Sequence, residues 1–220
     1  DDSDFSIYNI PFGIFRTDSI SPRCCTGIGD YVIDLAVLAA QGYFSATNIS
    51  PLVFQQEHLN EFISLGKKTT TKLRERIIEL FSSDNTELKD KKDFHEYIFY
   101  KRDDVTMMLP VKVGDYTDFY SSKEHATNVG AMFRDRNNAL LPNWKHLPIA
   151  YHGRASSIVV SGTPVIRPQG QFKKNKEDAM PVFGPTQALD YELELAFVIG
   201  KDSTLGLPIP VDKAGEYIFG

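Results

Sequence analysis

Glu192 and Glu194 stand two residues apart in the run DYELELAFVIG at residues 190–200. In an extended strand alternate side chains share a face, so the two Cα atoms would lie about 6.6 Å apart with both carboxylates on one side. Ala196 and Val198 continue that face. If the face is buried, two neighbouring carboxylates require a cation. An all-oxygen donor set suits calcium or magnesium, not zinc. If the face meets water, the run is an ordinary half-exposed strand, and on spacing alone this second reading is favoured.

A second group of reactive types falls in GDYTDFYSSKEHATNVGAMF, residues 114–133. Ser121 and Glu124 fit a capping box, which predicts a helix starting near Ser122. On it His125, Val129, Met132 and Phe133 recur at helical spacing, so the histidine is expected to point inward from the first turn. A helix N-terminus is electropositive and repels a second positive charge, which suits a general base. The competing reading is a core histidine bonded to a backbone carbonyl, and the residues alone favour it. Asp118 and Tyr120 lie two apart just before this helix and face the same way if the segment is extended. Asp118 or Asp115 can serve as a metal ligand or as a loop acid making a turn. Downstream, Trp144, His146, Tyr151, His152 and Arg154 occupy a Pro- and Gly-punctuated stretch of the kind that frames sites. Arg134 and Arg154 have the donors to clamp a carboxylate, or to form surface ion pairs.

The elements that must position these residues differ along the chain. Residues 23–28 and 31–35 read as strands, with Gly27, Gly29 and Asp30 as a hairpin turn between them. A short helix is expected at 36–40, and another at 57–65. A stronger one carries Leu73, Ile77, Leu80 and Phe81, with Thr69, Thr70 and Thr71 as candidate caps, and a last one spans 94–99. Nothing in residues 1–100 gathers acids, bases or ligands, so this part reads as a small α+β domain. From Val105 short apolar runs, at 158–160, 165–166 and 193–199, alternate with turn residues, and repeated prolines exclude long helices. A β-rich domain with long ordered loops follows. Residues 171–181, rich in lysine, are expected to form a solvated loop.

Composition narrows the function classes. The 220 residues carry a net charge of −5, the opposite of a nucleic-acid binder. No apolar run has the ~18 residues of a membrane span, and the acidic start is unlike a signal peptide. Cys24 and Cys25 are adjacent and poorly suited to a mutual disulfide, so two buried thiols in a reducing compartment are expected. Walker, HExxH and GxSxG motifs are absent from the sequence. Tyr217, Ile218 and Phe219 form an apolar run with nothing after it, so the sequence reads as breaking off inside a domain.

The long block from Asp115 through Gln171, followed in order by LDYELELAFVIG and PIPVDKAGEYIFG, resembles the fumarylacetoacetase family. Residues 1–100 are similar more loosely, through IGDYVIDL and the helices after it. The resemblance implies a mainly β, α+β architecture: a small SH3-like N-terminal barrel at 1–104 and the first part of a catalytic β-roll at 105–220. It implies a cytoplasmic homodimer that uses Ca2+ or Mg2+ to hydrolyse a carbon–carbon bond of 4-fumarylacetoacetate. Asp118, Glu192 and Glu194 match metal ligands, His125 the water-activating base, and Tyr120, Arg134 and Tyr151 substrate-contacting positions. Further family residues fall after Gly220, so this chain alone is expected to be inactive. Related decarboxylases and isomerases, acylpyruvate hydrolases and a metal-binding but inert fragment remain the alternatives.

Overall fold

Phe12–Arg16 (β1) runs antiparallel to Arg23–Ile28 (β2), and β2 turns back through Gly29 and Asp30 into Tyr31–Asp34 (β3). Gly29 takes φ 60°, a conformation open to glycine at little cost, and this closes the expected hairpin in two residues. Leu35–Ala40 (α1) follows directly, then Asn60–Ser64 (α2), Lys67–Phe81 (α3) and Lys92–Ile98 (α4). Phe99–Lys101 (β4) and Thr106–Met108 (β5) complete a five-stranded sheet in the order β4-β3-β2-β1-β5. The sheet is antiparallel and curls into a half-barrel within a mixed α+β fold.

Strand alternation sorts adjacent residues onto opposite faces. Ile14, Cys24 and Ile33 join the main core with Leu38, Leu73 and Ile77, whereas Phe15, Cys25 and Val32 form a second cluster. The two neighbouring cysteines are therefore buried on opposite sides of one strand, and neither forms a disulfide. Burial pushes the Cys24 thiol up to about 12, so it behaves as a small apolar residue. In α3, Leu73, Ile77 and Leu80 are the buried row; fully burying each such side chain contributes roughly 1.5–3 kcal/mol. The helix starts earlier than the threonines suggest. Gly66, at φ 81°, takes the N-cap position because the chain must reverse straight out of α2, and Thr69, Thr70 and Thr71 lie inside the helix.

Asp34 ends β3 and caps α1. Its Oδ1 accepts from the N–H groups of Ala36 and Val37 at 2.9 and 3.0 Å. Its Oδ2 lies 3.0 Å from Arg23 Nε, although the Arg23 N–H is not aimed along that line. The carboxylate is fully buried, and burial holds its pKa above the ordinary value against those N–H donors and Arg23.

The structure, a computed structural model, describes residues 3–220 and divides into two compact units, one of residues 3–111 with Val160–Gly220, the other Lys112–Val159. The second unit contains Thr117–Phe119 (β6), Lys123–Phe133 (α5) and Ala150–His152 (β7), with β6 and β7 paired antiparallel. The remainder of the first unit contains the hairpin of Gln169–Phe172 (β8) and Val182–Pro185 (β9), whose connecting loop is the exposed lysine-rich stretch. Ala214–Tyr217 (α6) comes last. Lys67 Nζ donates to the carbonyls of Gly215 and Ile218 at 2.8 and 3.2 Å, and Phe219 packs on Phe12 and Phe62.

Two sequence expectations are corrected. Residues 190–197 belong to no strand among the described residues, and an isolated bridge joins Ile199 to Ile218. The apolar runs at 158–160 and 165–166 are likewise not strands. A strand is defined by its hydrogen-bonded neighbour, which local alternation does not supply.

Candidate functional site

The second unit brings four of the expected site residues together. Tyr116, Asp118 and Tyr120 alternate along the extended segment and are half-buried, while Thr117 and Phe119 between them are exposed. Asp118 is the cross-strand partner of Tyr151 on β7. Tyr151 Oη donates to Asp118 Oδ2 at 2.7 Å and Tyr116 Oη donates to the same oxygen at 3.0 Å. Cross-strand neighbours on one face are close enough for such a contact, and a phenol donating to a carboxylate makes a strong, charge-assisted bond.

Tyr120 follows at the end of β6. Its N–H donates to Ile149 O at 2.8 Å, and its carbonyl accepts from Trp144 Nε1 at 2.7 Å. Its ring meets the His125 imidazole edge-on, with centroids 5.4 Å apart. His125 sits in the first turn of α5, where Ser122 is the N-cap and its Oγ accepts from the His125 N–H at 3.2 Å. The cap is thus Ser122, one residue later than the capping-box spacing implied.

The buried face of α5 also differs from the sequence expectation. Ala126 and Gly130 are its buried residues, His125 and Val129 are half-buried beside them, and Met132 and Phe133 are 72% and 80% exposed. Small residues win that face because the following loop approaches so closely. A Cβ at Gly130 would stand 2.1 Å from the Ala139 carbonyl oxygen. Arg134 clasps that same carbonyl with Nε and Nη2, at 3.1 and 2.8 Å. Its guanidinium thus secures the loop after α5, a role the sequence did not suggest. Arg154 Nε donates to Ser157 Oγ at 3.0 Å, and Asp115 lies 3.9 Å from His152 Nε2 at an exposed position.

Glu192 and Glu194 belong to the other unit, on exposed backbone outside any strand. The alternation there buries neither face: Leu193 and Leu195 are 96% and 101% exposed. Among the described residues, no three of His, Cys, Asp or Glu form a group that could hold a metal ion. Carboxylate oxygens are the right chemistry for a hard cation. Of the expected ligands, Asp118 lies in the second unit and Glu192 and Glu194 in the first.

Trp144, expected in the site-framing stretch, helps to build the site, as do Tyr116 and Gly153, to which the sequence assigned no role. The signal for Tyr116 is its parity with Asp118, two residues on. Gly153 is buried after β7, and its N–H donates to Tyr116 O at 2.7 Å.

Comparison with known proteins places the chain. Residues 8–110 match the family model for the fumarylacetoacetase N-terminal domain, and residues 115–220 match that for the fumarylacetoacetate hydrolase C-terminal domain. A fumarylacetoacetase of Dictyostelium discoideum is 51% identical over 222 residues, covering 100% of this chain and 52% of the relative. The fumarylacetoacetases of Mus musculus and Homo sapiens are 48% and 47% identical, also over 100% of this chain and 52% of each relative. The chain spans about half the length of the curated relatives it matches.

Proposed function

This chain belongs to the fumarylacetoacetase family, and on that premise we propose that it contributes to hydrolysis of the carbon–carbon bond of 4-fumarylacetoacetate, giving fumarate and acetoacetate. The observation that carries the reading is the grouping of Asp118, Tyr151 and Tyr120 along one β-ladder, with His125 at the edge of the Tyr120 ring.

In this reading His125 accepts a proton from water, and the resulting hydroxide adds to the carbonyl carbon on the fumaryl side. Collapse of the tetrahedral adduct breaks the bond to the neighbouring methylene carbon. The electron pair leaves as the enolate of acetoacetate, which is then protonated at carbon. Tyr120 and Tyr151 supply hydroxyls for substrate oxygens, and Arg134 a guanidinium for a substrate carboxylate. Asp118, Glu192 and Glu194 are proposed ligands of Ca2+ or Mg2+, which when bound supplies Lewis-acid polarisation of a substrate oxygen. A homodimer in the cytoplasm, acting in tyrosine and phenylalanine breakdown, completes the proposal. Two buried thiols outside any disulfide are in keeping with a reducing compartment. No helix among the described residues is long and apolar enough to cross a membrane.

The test follows the loss of 4-fumarylacetoacetate absorbance, with calcium or magnesium and with chelator. It compares the 220-residue chain with a form extended to the length of the relatives. Cation-dependent loss by the extended form, with fumarate and acetoacetate as products, is expected, and little or none by the 220-residue chain. An extended form that is folded and binds calcium, yet turns over an acylpyruvate or oxaloacetate instead, would overturn the substrate assignment.

A further inference from the structure

We infer that Tyr116 is a positioning residue that fixes the Asp118 carboxylate, and that Gly153 is glycine because the Tyr116 ring occupies the place of its side chain. The inference rests on the proposal that Asp118 is a cation ligand.

Three observations meet here. Tyr116 and Tyr151 both donate to one oxygen of Asp118, Oδ2, at 3.0 and 2.7 Å. Two donors on one oxygen stop the carboxylate from rotating about its last bond, and they engage that oxygen while the second keeps its lone pairs for another donor or a cation. Tyr116 approaches from the same strand and Tyr151 from the neighbouring one, so the two constraints come from different directions.

The Tyr116 ring is itself held. A Cβ on Gly153 would lie 2.1 Å from Tyr116 Cδ1 and 2.5 Å from Cε1, well inside contact distance. The Gly153 N–H donates to the Tyr116 carbonyl at 2.7 Å, so backbone and ring are registered against the same residue. Gly153 carries no positive φ, so the need for glycine here is one of space rather than of backbone conformation. The chain of dependence therefore runs from the absent side chain at 153, to the ring at 116, to the carboxylate at 118.

Tyr116 is distinguished from a residue that merely packs by what its hydroxyl alone does. The experiment uses the form extended to the length of the relatives, titrated with calcium chloride in a calorimeter alongside thermal unfolding and steady-state kinetics. Tyr116→Phe keeps the ring and removes only the donor. Its calcium affinity is expected to fall about 10-fold, with the cation-free protein still folded, since partners that orient a ligand typically account for 10–100-fold in metal affinity. Gly153→Ala is expected to lower calcium affinity at least as far, because the ring must move. Should that variant not fold, Tyr116→Phe decides the matter alone. A Tyr116→Phe protein that binds calcium as the parent does overturns the inference. A parent that binds no calcium removes the cation proposal itself, and the positioning role with it.

Discussion

The Tyr120 ring stands edge-on to the His125 imidazole, with centroids 5.4 Å apart, and Tyr120 is pinned on both sides of its peptide backbone by Ile149 and Trp144. The imidazole thus has a fixed neighbour on a β-ladder, while its own backbone is fixed by the Ser122 cap. Such double fixing suits a group that must meet a water molecule in one geometry.

If His125 is the base, its loss should separate chemistry from binding. In the extended form, His125→Ala is expected to lower kcat by roughly 10²- to 10⁴-fold, the usual worth of a positioned acid–base group. Calcium affinity measured by calorimetry should stay at the parent value. Parallel loss of both would assign the histidine a structural role.

The carboxylates at 192 and 194 make the opposite prediction. Glu192→Gln and Glu194→Gln each remove a charge with little change in shape, so calcium affinity is expected to drop at least 10-fold in each. These side chains are exposed here, so folding stability should change by no more than about 0.5 kcal/mol. Unchanged calcium affinity in both variants would remove them from the ligand set.

In the N-terminal sheet, Asp34 is a buried cap with a charged neighbour. Asp34→Ala is expected to cost about 2–4 kcal/mol in urea unfolding, because two helix N–H groups and Arg23 lose their partner together. Burial raises the Asp34 carboxyl above 3.8 in the folded chain. The protonated form is therefore favoured by folding: this contribution is complete below 3.8 and is lost as pH rises through the raised value. Compared with Asp34→Asn, the wild-type chain should gain stability as pH falls from neutrality. A difference that stays flat with pH would show the carboxyl to be unperturbed.

Glu87 behaves in the opposite sense. Arg76 holds it with two parallel bonds of 2.9 and 2.7 Å, and these, with Asn85, bring its carboxyl down to about 2. Stability from this clamp is present above 4.5 and is lost as pH falls toward about 2. Glu87→Gln should remove that acid-side slope and leave the Asp34 effect in place, as read by urea midpoints across the range. An identical slope in the variant would exclude the clamp as its source.

Much of this was legible in the sequence where the signal is local. The hairpin at Gly29 and Asp30, the buried row of α3 and the start of α5 follow from turn chemistry, periodicity and capping. Asp34 ahead of Leu35 and Ala36 was also a readable cap, since a short acid before an apolar run satisfies the first helical N–H groups. The buried face of α5 departs from the expected one because small Ala126 and Gly130, rather than the large apolar residues, let another backbone come close. The strand expected over 190–200 is absent for a different reason: alternation describes what a strand would bury, and pairing decides whether there is one. The pairing of the Tyr116 ring with Gly153 was not legible, because a ring filling the space of an absent side chain leaves no periodic trace.

The contact from Lys67 to the carbonyls of Gly215 and Ile218 has a consequence in time. Its partners are 148 and 151 residues apart in sequence. At ~5–20 residues per second, a ribosome takes roughly 7–30 s to deliver the second partner after the first. During that interval the ammonium at the start of α3 lacks these two carbonyl partners. Phe12 and Phe62 likewise stay uncovered by Phe219 until that residue is made. The nascent chain therefore carries an open apolar seam until Phe219 is made, and a chaperone that binds such seams has that interval in which to act.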